Sequence, residues 1–279
     1  MRARASALAS ELLTEARLTK NRTPTDRVLD ILEHVTFSDR SLGTSELAAR
    51  LDIPKATVYR ILTTLEARGY LSRHLLGPGF VPDAGLQQLS RGALDAPHYR
   101  AERHAILTEL AETIGEACNL VLFEGTEQVY IDRVETKWPL QFRLEVGSRV
   151  PVHCTAAGKL LLALQPATRQ SGFVNRMQLV RYTRKTICDP DTLMRALEDI
   201  AQFDYGVDDE EFLDGMVAVA VPLRIGAGPP RLAVATHAPV SRMRIDTLLH
   251  YLPDMRDAAD RISRTIQNTG QLMTSKPKK

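Results

Sequence analysis

The sequence predicts an α+β chain in two parts: a small helical module carrying a β wing, then, after a linker helix, a larger α/β domain built on a sheet. Three observations predict it. Between Thr23 and Gly69, apolar residues recur at helical spacing in three short runs, the last two joined by about three residues. A strand, a Gly-Pro-Gly turn and a second strand follow at once in "YLSRHLLGPGFVP". Beyond residue 100, strand and helix patterns alternate, and neighbouring strands often sit a hairpin turn apart, as in an antiparallel or mixed sheet flanked by helices.

The bulk numbers fit this division. The chain has 279 residues, 44% hydrophobic and 25% charged, which is room for two ordinary globular domains. It has no run of about 18 apolar residues, so no membrane-spanning helix and no membrane partner are expected. The start, "MRARASALASELLTEARLTK", is basic, and Glu11 and Glu15 interrupt it, unlike a signal peptide. Cys118, Cys154 and Cys188 lie far apart without a CxxC, which suggests neither a zinc ribbon nor a disulfide framework. A reducing cytoplasm is the simplest setting, and no cofactor or metal is expected. Net charge is only +2, but the first hundred residues hold 14 Lys+Arg against 11 Asp+Glu, while residues 101–274 hold 19 against 23. A basic N-terminal module on a near-neutral body fits that asymmetry. The expected segments are an extension over 1–22, the winged module over 23–83, a linker helix region over 84–100, a second domain over 101–269 and a basic, disordered tail over 270–279.

In the module, "TPTDRVLDILEHV" opens a helix. Thr23 can cap it, Pro24 suits its first position, and Asp26 completes a capping box. Val28, Ile31, Leu32 and Val35 form its stripe. In "TSELAARL", Thr44 is the expected cap, and Leu47, Ala48 and Leu51 face inward. After "DIP", the third helix carries Val58, Ile61, Leu62 and Leu65 on one face and runs to Gly69, a left-handed terminator. Two helices this close in sequence, followed by a wing, make a winged helix-turn-helix.

The third helix leaves a face that cannot be buried. Lys55, Ala56, Thr57, Tyr59, Arg60 and Thr63 lie on it, with no acid until Glu66. A helix of this width fits the major groove of duplex DNA. Lys55 can reach guanine or phosphate, and Ala56 allows close approach. Thr57, Tyr59 and Thr63 offer hydroxyls, and Arg60 can bind bidentately. In the wing, Arg73 and His74 are candidates for the backbone or the minor groove. Such a face is also compatible with solvent or with contact to another protein.

The segment "TSELAARLDIPKATVYRILTTLEARGYL", with "VYIDRVE", "VGSRVPVHCTAAGKLLLA", "RYTRKTICDPDTL" and "YGVDDEEFLDG" downstream in order, resembles the IclR-type bacterial transcriptional regulators from roughly Thr23 to Ser263. The resemblance implies a winged helix, a linker helix and a GAF-like effector-binding domain. It also implies a repressor or activator that binds double-stranded operator DNA as a homodimer or dimer of dimers.

The second domain offers fragments that resemble catalytic motifs and fail as such. "AAGKLL" has His153 where a phosphate loop needs Gly, and Leu160 where it needs Ser or Thr. Asp208 to Glu211 read as a solvated or salt-bridged turn rather than paired catalytic acids. His153 and Cys154 diverge on a strand, which favours a structural role. No GxSxG, HExxH or GxGxxG occurs, so no enzyme is expected.

A pocket is the better use of these segments. The helix beginning near Thr155 starts with Ala156, Ala157 and Gly158, which let a ligand approach free amides at its positive end. Carried over residue by residue, the resemblance implies an effector site at Phe142, Ala156, Ala157, Asp208, Ala218, Ala235 and His237. The family often has Cys where Ala218 stands and a Ser-x-Ser pair where Ala235 and His237 stand. The exchange suggests a small carboxylate effector with more apolar bulk, even an aromatic one, met by His237 as a donor able to carry charge. The other reading of His237 is packing within the sheet. The rival for the whole chain is a sensor or enzyme domain whose winged helix contacts protein, not DNA.

Overall fold

The computed structural model describes residues 23–38, 40–74, 77–94, 97–138, 144–226 and 228–272. The extension 1–22, residues 273–279 of the tail and the candidate Phe142 lie outside the described residues. The chain divides into two compact units, Met1–Ala96 and Pro97–Lys279.

In the first unit, α1 (Pro24–Phe37) begins with the expected capping box. Asp26 N donates to Thr23 Oγ1 at 3.2 Å, and Thr23 N donates to Asp26 Oδ2 at 2.8 Å. Helix α2 (Thr44–Leu51) departs from expectation. Gly43 is its N-cap, Thr44 is already its first helical residue, and no side chain caps it. Extended backbone at Gly43 moves the helix start one residue back, so the Thr44 hydroxyl is past the capping position. Asp52 ends α2 in the left-handed region (φ 51°) and turns the chain into α3 (Lys55–Ala67). Gly69, at φ 70°, then redirects it into the wing.

The wing pairs β1 (Leu71–Arg73) with β2 (Phe80–Pro82), antiparallel. Leu42 and Phe80 exchange backbone hydrogen bonds, which tie the wing to the segment before α2. A Cβ on Gly79 would stand 2.8 Å from the Leu42 carbonyl carbon, so only glycine fits there. Ile31, Leu47, Leu62, Leu71 and Phe80 bury one shared core. Helix α4 (Ala84–Leu94) starts against this unit, with Gly85 N donating to Gly69 O at 2.8 Å.

The second unit holds a six-stranded sheet in the order β5-β4-β3-β8-β7-β6, with every neighbouring pair antiparallel. The strands are β3 (Ala117–Glu124), β4 (Glu127–Val134), β5 (Arg149–Pro151), β6 (Gly206–Asp209), β7 (Met216–Leu223) and β8 (Leu232–Pro239). Helices α5 (Pro97–Ile114) and α10 (Leu252–Leu272) pack together along one face, and α9 (Ile245–Leu249) leads into α10. The expected stripe of α5, Ile106, Leu107, Leu110 and Ile114, is buried. The other face carries α6 (Ala156–Ala163), α7 (Ala167–Val174) and α8 (Pro190–Phe203) around a core that includes Val121, Phe123, Leu160, Leu162, Leu193 and Leu197. Helix α7 has no clean stripe, with only Val174 buried, and its sequence gives no periodic signal.

Buried charge pins α5 to the sheet. Arg103 Nε donates to Asp132 Oδ2 at 3.0 Å, with both side chains almost wholly buried, and the half-exposed His104 meets the second oxygen of Asp132 at 2.9 Å. On the other face α6 lies very close to the sheet edge. A Cβ on Gly206 would stand 2.2 Å from the Ala156 carbonyl oxygen, and backbone cannot rotate away. Gly206→Ala should therefore cost about 2 kcal/mol and lower the melting temperature by roughly 4–8 °C. Thermal unfolding of the full chain checks this, and an unchanged transition would contradict the close approach.

Candidate functional site

Two places gather the candidate residues. The first is the outer face of α3. Pro54 is its N-cap, no side chain caps it and no acid lies in its first turn. Thr57 N and Val58 N both donate to Pro54 O, while the amides of Lys55 and Ala56 have no helical partner. Lys55, Ala56, Arg60 and Thr63 are exposed, Thr57 is half-buried, and Tyr59 is 56% exposed although aromatic. Val58, Ile61, Leu62 and Leu65 fill the core beneath, so the two faces separate as the spacing predicts. Among the described residues neither Lys55 nor Arg60 makes an ion pair. Arg73 is engaged instead: its Nε donates to Glu66 Oε1 at 3.0 Å and its guanidinium lies 5.1 Å from the Phe80 ring centre. His74 is exposed at the end of β1, and its backbone N–H donates to Gly79 O.

The second place is a cavity of about 40 Å3 between α6 and the sheet. Six of the seven candidate effector residues line it: Ala156, Ala157, Asp208, Ala218, Ala235 and His237. Register explains the gathering. Ala218 on β7 stands opposite both Asp208 on β6 and His237 on β8, and Ala235 stands opposite Asn119 on β3. Paired residues point to the same side of a sheet, so all of these face α6. Alanines on this floor leave the room that larger side chains would fill. Thr155 precedes α6 without capping it, and its hydroxyl donates to Pro151 O at 2.7 Å. The first amides of α6 are therefore open at the cavity wall, at the positive end of the helix.

His237 lines the cavity and is also held by its neighbours in the sheet. Arg133 Nη1 donates to Asn119 Oδ1 at 3.1 Å, which turns the Asn119 amide nitrogen toward His237 Nδ1 at 3.0 Å. Nδ1 then accepts from the Asn119 amide, and Nε2 lies 3.5 Å from Arg133 Nη2. The buried guanidinium of Arg133 lies against both Asn119 and His237, which line the cavity. Asn119 escaped the sequence reading, although a wholly buried asparagine inside "ACNLVLF" breaks an apolar strand and is a usable signal.

The four acids also divide differently from expectation. Asp209 and Glu210 form the expected surface bridge, both to Lys185. Asp208 and Glu211 turn inward. Glu211 pairs with Lys159 of α6, both largely buried, and Thr183 and Thr186 donate to the backbone of the same turn. Alternation on a strand cannot predict this, because β6 ends at Asp209 and Glu210 takes a left-handed φ of 60°. Asp208 Oδ1 accepts from Glu211 N at 2.7 Å and Phe212 N at 3.3 Å. Burial pushes its carboxyl up to about 7, against the downward pull of the backbone bonds and of Lys159. Burial likewise raises the Glu211 carboxyl and lowers the His153 imidazole. Cys154, beside this cluster, is buried and its thiol is pushed up, as suits a structural cysteine.

Residues 24–74 match the family model described as the IclR helix-turn-helix domain, and residues 92–264 match that of the bacterial transcriptional regulator IclR C-terminal domain. The chain belongs to the IclR family. It is 39% identical over 239 residues to the probable transcriptional regulator SauR of Cupriavidus necator, covering 86% of this chain and 95% of that one. The crystal structure of the Thermotoga maritima IclR is similar at 27% identity and a TM-score of 0.58, covering 87% of this chain and 98% of that one. The inducer-binding domain of the Acinetobacter transcription factor PobR, solved as a double mutant with 3-hydroxybenzoic acid, is 26% identical with a TM-score of 0.54, covering 59% and 97%. Like its IclR relatives, this chain is a DNA-binding transcriptional regulator and not an enzyme.

The Asp208 carboxyl ties this IclR domain's stability to pH. The ordinary value is 3.8 and the folded value about 7, so between them the folded chain holds a proton that the unfolded chain has lost. Its contribution to stability then falls as pH rises through that window and is flat above it. Asp208→Asn keeps the two backbone bonds and removes the titration. The variant should melt above the wild type near pH 8 and lose that advantage progressively toward about pH 4. Melting curves across that range check it, and a pH-independent difference would remove Asp208 as the cause.

Proposed function

We propose that two copies of this chain place their α3 helices in successive major grooves of operator DNA, and that a small carboxylate in the cavity beside α6 controls that binding. The observation that carries the DNA half is the outer face of α3: exposed cations and hydroxyls over an uncapped, acid-free N-terminus, on a helix whose other face is fully committed to a core. Lys55, Arg60 and the open amides suit phosphates and base edges, and Ala56, Thr57, Tyr59 and Thr63 complete the contact. His74 follows on the wing. Arg73 joins it on exchanging Glu66 for a phosphate. A homodimer matches two half-sites about one helical turn apart. The controlled genes form a catabolic operon for the acid that is sensed, under repression or activation.

For the effector, the open amides of α6 and the alanine floor support an anion with little bulk. The PobR domain supports a carboxylate as the class, since its solved ligand is one. Size then separates this chain from that relative. A cavity that takes a benzene ring has about 150 Å3, and this one has about 40 Å3. The reading is therefore an acid of two or three carbons, not the aromatic one that the loss of hydroxyls suggested. Binding adds no chemistry; it shifts populations by its differential affinity for them.

The test is a binding titration of the full chain on the promoter duplex next to its own gene, at several salt concentrations. Affinity should fall steeply with salt, and each phosphate contact removed should flatten the log–log slope by about 0.9. Lys55→Ala with Arg60→Ala should lose about 1–3 kcal/mol per base contact while the melting temperature stays unchanged. Intact affinity in the folded double variant, or binding indifferent to salt, would assign α3 to a protein partner instead.

A further inference from the structure

Strand β4 places two polar side chains on the cavity wall that satisfy nothing in the protein. Gln128 is 2% exposed and Tyr130 is 7% exposed, and both line the cavity. Their i, i+2 spacing puts them on one face of the strand. Gln128 Oε1 has no hydrogen-bond partner. Among the described residues the amide nitrogen of Gln128 and the hydroxyl of Tyr130 also make none. Their neighbours explain why: Gln128 stands between Phe123 and Val150, and Tyr130 opposite Val121, all apolar. The other polar side chains on the wall are engaged. Asn119 uses both ends on Arg133 and His237, Thr155 donates to Pro151, and Asp208 accepts from its own turn.

Burying the Gln128 amide oxygen with no partner is costly, and a ligand that reaches it and the Tyr130 hydroxyl supplies the missing bond. A hydroxyl serves both oxygens, because it accepts from the Tyr130 O–H and donates to Gln128 Oε1. A ketone oxygen can only accept and leaves the Gln128 oxygen unpaired. A plain acid leaves both unpaired.

We propose that Gln128 and Tyr130 form a second, specificity-determining subsite, and that the effector is a small hydroxy acid whose hydroxyl they read while its carboxylate lies at the first turn of α6. This rests on the small-carboxylate reading of the cavity and narrows it. A site built to bond a hydroxyl rejects the analogue that lacks it far more strongly than a pocket rejects a methylene.

The experiment is isothermal titration of the full chain with glycolate, acetate, both enantiomers of lactate, propionate and pyruvate. Glycolate should bind at least about tenfold more tightly than acetate, and one lactate enantiomer at least about tenfold more tightly than propionate, with pyruvate between them. Tyr130→Phe and Gln128→Met, each checked for an unchanged melting profile and unchanged DNA affinity, should cut that preference to about threefold or less while leaving the acetate and propionate affinities within about twofold. Equal binding of hydroxy and plain acids by the wild type overturns this proposal and leaves the carboxylate reading standing. So does a preference that survives in both variants. Binding by none of the six overturns the carboxylate reading and this proposal with it.

Discussion

Helix α6 can lie where it does only because the backbone beneath it is bare. The Gly206 hydrogen and the Ala156 carbonyl share a space that a methyl group would overfill, and a Cβ on Gly158 would meet the Val152 carbonyl oxygen at 2.5 Å. All eight residues of α6 are buried, Lys159 included. A helix so enclosed cannot shift to meet a ligand, so its open first turn is a fixed feature of the cavity wall. Rigid backbone donors need no reorganisation to meet an anion, which suits the small ligand proposed for this cavity. The alanines at 218 and 235 do the complementary work on the floor, where any longer side chain would close the space.

Enclosing α6 brings its lysine inside, and the rest of the site's electrostatics follows from that. A buried ammonium is tolerable only beside an opposite charge with its other protons satisfied. Glu211 supplies the charge, and the acidic turn must therefore fold inward. The same turn carries Asp208 to the cavity wall. Thr183 and Thr186 hold the turn from below through its backbone oxygens, and Lys185 holds its outer side through Asp209 and Glu210. Four consecutive acids thus serve two environments, and the burial of Asp208 that raises its carboxyl is a consequence of where Lys159 had to go. On the far side of the floor, Arg133 repeats the pattern with a different result. Its guanidinium donates to the Asn119 amide oxygen and lies 3.9 Å from the Glu135 carboxylate, so an amide stands between this charge and the cavity.

How much of this a sequence can carry depends on whether a residue's role is local. In the first unit it nearly always is. The stripes of α1 and α3, the Thr23–Asp26 box and the Gly69 terminator are set by spacing within a few residues, and the wing by a Gly-Pro-Gly turn. The miss there is also local: threonine is a good cap in general, but Gly43 already had the extended backbone that a cap needs. In the second unit the strand and helix order was legible from periodicity, and the lining from Ala156 to His237 from family resemblance. What escaped was every role that depends on a partner distant in sequence: Asn119 with His237, Lys159 with Glu211, and Gln128 facing apolar neighbours on β3 and β5.

That boundary has a physical cause that bears on how such regulators differ from one another. A DNA-reading face is made by leaving residues outside a core, so its composition can be read from one helix. A ligand cavity is made by what surrounding strands fail to satisfy, and a polar side chain there looks in sequence like an ordinary outward position. On β4 the burial pattern places Gln128 and Tyr130 inward among apolar residues, where an alternating strand would put valine or leucine. Apolar residues there would give a tighter core and a cavity that distinguishes ligands only by shape. Retaining the unpaired Gln128 amide oxygen in the core costs folding free energy, on the order of 1–3 kcal/mol. In the proposed subsite the same deficit becomes affinity for a molecule that completes the bond, so specificity there would be stored as local instability in the free protein.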